Sequence, residues 1–256
     1  MINTPRLLVT RFAPHAELLA NSLNEIGYFS IAQPLLTVTA LDDPNTLNRF
    51  LSGHYDYVIA VSANAVIYAQ QQISTSWPTA CYFAVGQSTQ KILSEVTDQH
   101  VLIPSTRFDS EGLLALEKLK SIEAKRILIL RGEGGRDLLE TTLVERGAKV
   151  DFFQTYKRIK INLNGHELAN YWQQAFINGA IISSVEILNQ LFILVPKEYT
   201  SWMCELIFYV PSQRVAKQAA ILGVQHIVLL PSLHTDQIVE FFKVNNGNCI
   251  KPISLK

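Results

Sequence analysis

The sequence lacks an excess of charge of either sign: 22 Lys and Arg are matched by 22 Asp and Glu over 256 residues. A protein built mainly to grip nucleic acid carries a basic surplus, so that task is excluded, and an anionic ligand must be held by a local cluster. Cysteine is scarce. Cys81, Cys204 and Cys249 lie far apart with no CxxC among them, which argues against a disulfide framework or thiolate zinc site and for a reducing cytoplasm. The six histidines include no HExxH pair, so no metal is expected. No run reaches the roughly 18 apolar residues of a membrane span. The opening MINTPRLLVTR is closed by Thr10 and Arg11, too short for a signal-peptide core. GxGxxG is absent and no P-loop lysine follows a glycine run, so NAD, FAD and P-loop nucleotides are not expected and the chain reads as cofactor-free.

What is present is 48% apolar and 17% charged residues, enough for packed cores, over a length that suits two domains. Short apolar runs alternate with helical segments. Leu7–Thr10, Tyr57–Val61, Cys81–Val85, Arg126–Leu130, Ala180–Ser183, Leu206–Val210 and Gln225–Leu229 read as strands. Helices are expected across about His15–Ile26, from Ser62 to Ile73, from Gly86 to Val96, up to Arg146-Gly147, and from near Ser184, Ser212 and His234. Near-continuous apolar strands between helices indicate doubly wound parallel sheets covered on both faces.

Two echoes sit about half a chain apart. Tyr57–Val66 resembles Gly179–Leu188, and Phe83–Ile92 resembles Phe208–Lys217, which suggests two similar flavodoxin- or Rossmann-like α/β halves. Gln33–Leu41 and Gln154–Ile161 instead alternate apolar with polar residues, as two-sided exposed strands do. Their pairing predicts a discontinuous domain of 1–35 plus 160–256, an inserted domain of 39–155, and a two-stranded hinge near 35–40 and 154–161 with a cleft beneath it. Ligands favour such clefts and the carboxyl ends of parallel strands.

Candidate site residues follow from that placement. Arg131-Gly132-Glu133-Gly134-Gly135-Arg136 follows a strand and offers guanidinium groups and backbone N–H donors to carboxylates or phosphates, or is simply a tight turn. Ser62, Ser88/Thr89, Ser110, Ser184 and Ser212 stand at expected helix starts, where hydroxyls cap helices and can also serve an anion. Tyr156, beside Lys157 and Arg158, lies in the expected hinge, as packing or as an acid. No Ser–His–Asp order or paired-carboxylate motif emerges. A non-catalytic two-domain binding protein for an anionic small molecule and a regulatory α/β module therefore stand beside the enzyme reading.

Taken in order, Val9-Thr10-Arg11, Ser62–Val66, Val85-Gly86 with Thr89, Ser110–Leu114, Arg131–Arg136, Leu143–Val150 and Tyr156–Arg158 resemble the uroporphyrinogen-III synthase family. Phe12 stands where the family usually has proline, and Ser183–Glu186 and Pro211–Arg214 match more loosely. The resemblance implies a cytoplasmic, monomeric, cofactor-free lyase of tetrapyrrole (haem) biosynthesis. It would cyclise hydroxymethylbilane, received from the enzyme that makes it, with inversion of the terminal pyrrole ring. It also implies Tyr156 as the catalytic group. The substrate-binding set it implies is Arg11, Ser62, Ala63, Asn64, Gly86, Thr89, Ser110, Glu111, Gly112, Arg131, Gly132, Ser184, Ser212 and Arg214.

Overall fold

The computed structural model describes residues 4–134 and 137–245. In chain order the elements are β1 (Leu7–Val9), α1 (His15–Glu25), β2 (Ser30–Ala32), β3 (Leu36–Ala40), α2 (Pro44–Leu51), β4 (Tyr57–Ala60) and α3 (Ala63–Gln70). Then come β5 (Cys81–Ala84), α4 (Gln87–Thr97), β6 (Val101–Leu102), α5 (Ser110–Leu114), β7 (Arg126–Gly132), α6 (Leu138–Glu145) and β8 (Lys149–Lys160). The chain ends with α7 (Gly165–Gln174), β9 (Gly179–Ile181), α8 (Val185–Leu194), α9 (Thr200–Glu205), β10 (Ile207–Val210), α10 (Gln213–Ile221), β11 (His226–Leu229) and α11 (Thr235–Val244).

Two compact units result, one drawn from the chain up to Thr37 and from Ile159 onward, the other from Val38–Arg158. The first unit has a five-stranded sheet in the order β2-β1-β9-β10-β11, every pair parallel. In the second unit the order is β3-β8-β7-β4-β5-β6, with β8-β7-β4-β5-β6 parallel. The chain passes between the units along β3 and β8, which are neighbours. Leu41 N–H donates to the Thr155 carbonyl and Ile161 N–H to the Leu35 carbonyl, so these two strands run antiparallel. The echoing segments occupy equivalent places, since β4 lies beside β5 as β9 lies beside β10.

Both sheets are sandwiched, which is why their strands are apolar on successive residues. Leu7 and Val9 face a core with Leu19, Leu23 and Phe242, while Leu8 between them faces Trp172, Leu188 and Phe208. In the second unit Leu128 and Leu130 pack with Tyr82 and Val66, and Ile127 and Ile129 pack with Leu113 and Leu143. Gly27, at φ +89°, ends α1 in a conformation that favours glycine.

The departures from expectation have simple causes. β2 opens on Ser30 and is half-exposed, leaving no apolar run, and β6 has only two residues. α2, capped by Asp43 on the Thr46 N–H, spans only eight residues and turns Leu47 and Leu51, with Phe50 beside them, to the core, too short a run to establish a helical period. α7 and α9 were also unassigned in the sequence. β8 begins at Lys149, not Gln154, because its first half pairs with β7 while its second half carries the alternating pattern. The register shifts between Arg131 and Gly132, so Arg131 faces Gln154 but Gly132 faces Tyr156. Thr155 is the extra residue, and it is fully buried.

Candidate functional site

In an open α/β sheet, ligands favour the carboxyl ends of the strands where the strand order reverses. In the second unit that point lies between β4 and β7. Ser62 follows β4, and Arg131 and Gly132 end β7. A recess of about 330 Å³ opens there, lined by Val61, Val85, Phe108, Asp109, Ser110, Arg131, Gly132, Glu140, Tyr156 and Arg158, among others.

Tyr156 is packed in the core and hydrogen-bonded at its tip. Its ring is 5% exposed and belongs to the core, stacked on Tyr68 at 5.9 Å between centroids. Its hydroxyl sits 3.1 Å from Ser62 Oγ, where either atom can donate. Ser62 is the N-cap of α3 and accepts the Ala65 N–H at 3.1 Å. Ala63 and Asn64 form the first turn of that helix, partly open.

Arg131 is only 12% exposed and is held from within its own loop. It donates to the Gly134 carbonyl at 2.6 Å, lies 3.8 Å from Glu140, and covers the Phe152 ring. It therefore fixes the Glu133–Gly134 turn as well as facing the recess. Gly135 and Arg136 lie outside the described residues.

The helix starts differ in detail from the sequence reading. Asp109, not Ser110, caps α5, accepting the Gly112 N–H at 2.9 Å. Ser110 is the first helical residue and lines the recess. Gly112 has a structural reason to be glycine, because a Cβ there would collide with the Arg107 carbonyl. Glu111 pairs with Arg107 at 3.3 Å. Gly86 caps α4 without a side chain, and Thr89 is buried in the first turn.

In the first unit the order reverses between β1 and β9. Arg11 lies just past β1 and Ser184 just past β9. The Ser184 hydroxyl caps α8 through the Ile187 N–H, and Ser212 caps α10 through the Val215 N–H; Arg214 is exposed on the first turn of α10. Arg11 is half-buried, and its Nη1 is wholly buried without a hydrogen-bond partner among the described residues. Desolvation holds its guanidinium below the usual arginine value. A buried cation with an orphaned donor is a costly arrangement that an anion would relieve.

Tyr68, Phe108, Asp109, Glu140 and Arg158 were not among the site candidates. Tyr68 reads as one more apolar position of α3, and only the tertiary pairing of α3 with β8 brings it to Tyr156. Among the described residues no group of three or more His, Cys, Asp or Glu could hold a metal ion, and no helix is long and apolar enough to cross a membrane.

Each unit is an α/β layer structure with hydroxyls and an arginine at its strand-order reversal, donors that suit an anionic group, and the two together define a two-domain α/β protein. The family model described as uroporphyrinogen-III synthase HemD matches residues 17–240. The uroporphyrinogen-III synthase of Escherichia coli (strain K12) is 36% identical over 240 residues, covering 91% of this chain and 98% of the relative. That of Proteus mirabilis is 38% identical over 193 residues, covering 72% and 96%. The chain belongs to the uroporphyrinogen-III synthase family. Solved structures share the fold. A mutant uroporphyrinogen III synthase of Thermus thermophilus has a TM-score of 0.61 at 16% identity, covering 93% of this chain and 98% of that one. The Helicobacter pylori protein has a TM-score of 0.59 at 14% identity, covering 94% and 99%.

Proposed function

We propose that this chain converts hydroxymethylbilane to uroporphyrinogen III without a cofactor, as a lyase of tetrapyrrole biosynthesis, and that Tyr156 assists departure of the first-ring hydroxyl. The observation that carries the residue-level reading is the Tyr156 hydroxyl, held 3.1 Å from Ser62 Oγ on a recess with Arg131 and Arg158 in its lining. The net reaction is loss of one water. The hydroxymethyl oxygen takes a proton, its C–O bond breaks with release of water, and an azafulvenium cation remains. The terminal ring attacks through its substituted carbon to give a spiro intermediate, which opens and recloses with that ring inverted. The last ring carbon to rearomatise returns a proton. Ser62 Oγ already accepts from α3, so a Ser62 hydroxyl donating to the phenol oxygen leaves the Tyr156 proton for the leaving hydroxyl.

The substrate cyclises unaided to the uninverted isomer, so the protein's main task is to orient the terminal ring, an effect worth up to about 7–11 kcal/mol in the best cases. Carboxylates of the substrate suit Arg131, Arg158 and the helix starts of the second unit, and Arg11 in the first. Free Cys81 and Cys204 support a reducing cytoplasmic setting, where the substrate is handed over by the enzyme that makes it. Incubation with hydroxymethylbilane, then oxidation and separation of isomers, tests the activity. Isomer III is expected, and isomer I alone refutes the proposal.

His15 offers a check on Arg11. Burial holds its imidazole below the usual histidine value, and the Arg11 charge lowers it further against a smaller opposing effect of Glu17. The unfolded chain thus takes this proton first. Stability from neutral His15 is full above about pH 6.5 and declines as the pH falls toward its folded value. A carboxylate docked on Arg11 cancels the repulsion. The His15 ring protons should therefore titrate at higher pH in the product complex than in the free protein, as read by NMR. An unchanged titration would detach Arg11 from the ligand.

A further inference from the structure

We propose that Gly132 and Tyr68 are positioning residues that fix the Tyr156 ring so that its hydroxyl stays on Ser62. The inference rests on the reading of Tyr156 as the proton donor and adds what holds that donor in place.

Neighbours on two sides define where the Tyr156 ring lies. A Cβ on Gly132 would fall 2.5 Å from Tyr156 Cζ, 2.8 Å from Cε2 and 2.9 Å from Cε1. Those three atoms are the hydroxyl-bearing end of the ring. Real Cβ atoms do not approach so closely, so any side chain at 132 must push that end away. The missing side chain is what lets the phenol lie against the β7 backbone. Gly132 has an ordinary backbone conformation, since its φ is not positive, so its lack of a Cβ serves space and not a turn.

The juxtaposition itself comes from the bulge. In regular pairing without the bulge, Gly132 would face Thr155 and Tyr156 would point to the other side of the sheet. Thr155 is locked there by full burial, and the Glu133 N–H clamps the strand by donating to the Tyr156 carbonyl at 2.7 Å.

Tyr68 supplies the second constraint. Its ring stacks on Tyr156 with an interplanar angle of 28°, and its hydroxyl donates to the Val38 carbonyl of β3 at 3.2 Å. Ser62 caps the same helix, α3, that carries Tyr68. One rigid element therefore holds both the ring's stacking surface and the oxygen its hydroxyl meets. A displacement near 1 Å at such a group can cost about a hundredfold in rate.

A double-mutant cycle on kcat separates positioning from plain structure. Gly132→Ala and Tyr68→Ala are each measured in the wild-type chain and in Tyr156→Phe, on protein shown to be folded by circular dichroism. The expected result is a loss of about ten- to hundredfold in the wild-type background and almost no further loss in Tyr156→Phe, with Tyr68→Phe regaining most of what Tyr68→Ala loses. If Gly132→Ala fails to fold, the Tyr68 pair decides alone. Equal losses in both backgrounds, or full activity of the folded variants, overturn the positioning role while leaving Tyr156 as donor. A fully active Tyr156→Phe removes the donor and the positioning role together, and is told apart by that single variant.

Discussion

Tyr156→Phe should lower kcat by about a hundredfold, the low end of what a general acid contributes, while isomer III remains the product. The low end applies because the leaving hydroxyl departs readily unaided. The substitution keeps the ring, its stacking on Tyr68 and its core contacts. It deletes only the oxygen facing Ser62, and Ser62 keeps its bond to the Ala65 N–H. The loss in stability should stay within about 0.5–1.5 kcal/mol, the net worth of one hydrogen bond, which a thermal melt measures. Retention of isomer III matters as much as the fall in rate, because ring inversion depends on orientation by other groups. Full turnover in a folded Tyr156→Phe protein would leave the tyrosine a packing residue, and a shift to isomer I would make it an orienting one.

The fold was legible because its signals are local. Runs such as Tyr57–Ala60 and Ile127–Leu130 are apolar on successive residues, as the strands of a parallel sheet covered on both faces are, and Gly27 marked the end of α1. The serine caps of α3, α8 and α10 were legible for the same reason. The edge strand β2 opens on Ser30 and is half-exposed, so it shows no apolar run, and β6 has only two residues.

The site was legible only in outline. Ser62, Arg131 and Tyr156 stand out by position, but their relations depend on strand order and register. The cap of α5 passed from Ser110 to Asp109, a shift of one residue that no local pattern decides, since both types cap well. Gly112 and Gly132 both looked like ligand-facing backbone. Beside that reading, Gly112 makes room for the Arg107 carbonyl and Gly132 for a tyrosine ring 24 positions away. A glycine's spatial reason lies in what it leaves open, and that is a tertiary fact.

Arg11→Met should weaken product binding about ten- to hundredfold, matching the roughly 1.5–3 kcal/mol of a hydrogen bond to a charged group, yet leave the free protein as stable or more so. The opposite signs are the point. In the free chain the Arg11 guanidinium is desolvated, and its Nη1 is buried with no acceptor among the described residues. Methionine keeps the unbranched stem that packs beyond β1 and discards the desolvated charge, a change that tends to be neutral or stabilising when a buried charge is poorly compensated. A residue retained for structure loses stability when replaced, whereas one retained for an anion loses affinity. Thermal melts with and without product give both quantities on one sample. A melting temperature that drops in Arg11→Met while the product-induced upward shift is preserved would return Arg11 to the scaffold. A preserved or raised melting temperature with that shift reduced assigns it to the ligand, with His15 then titrating at higher pH because only the Glu17 charge remains beside it.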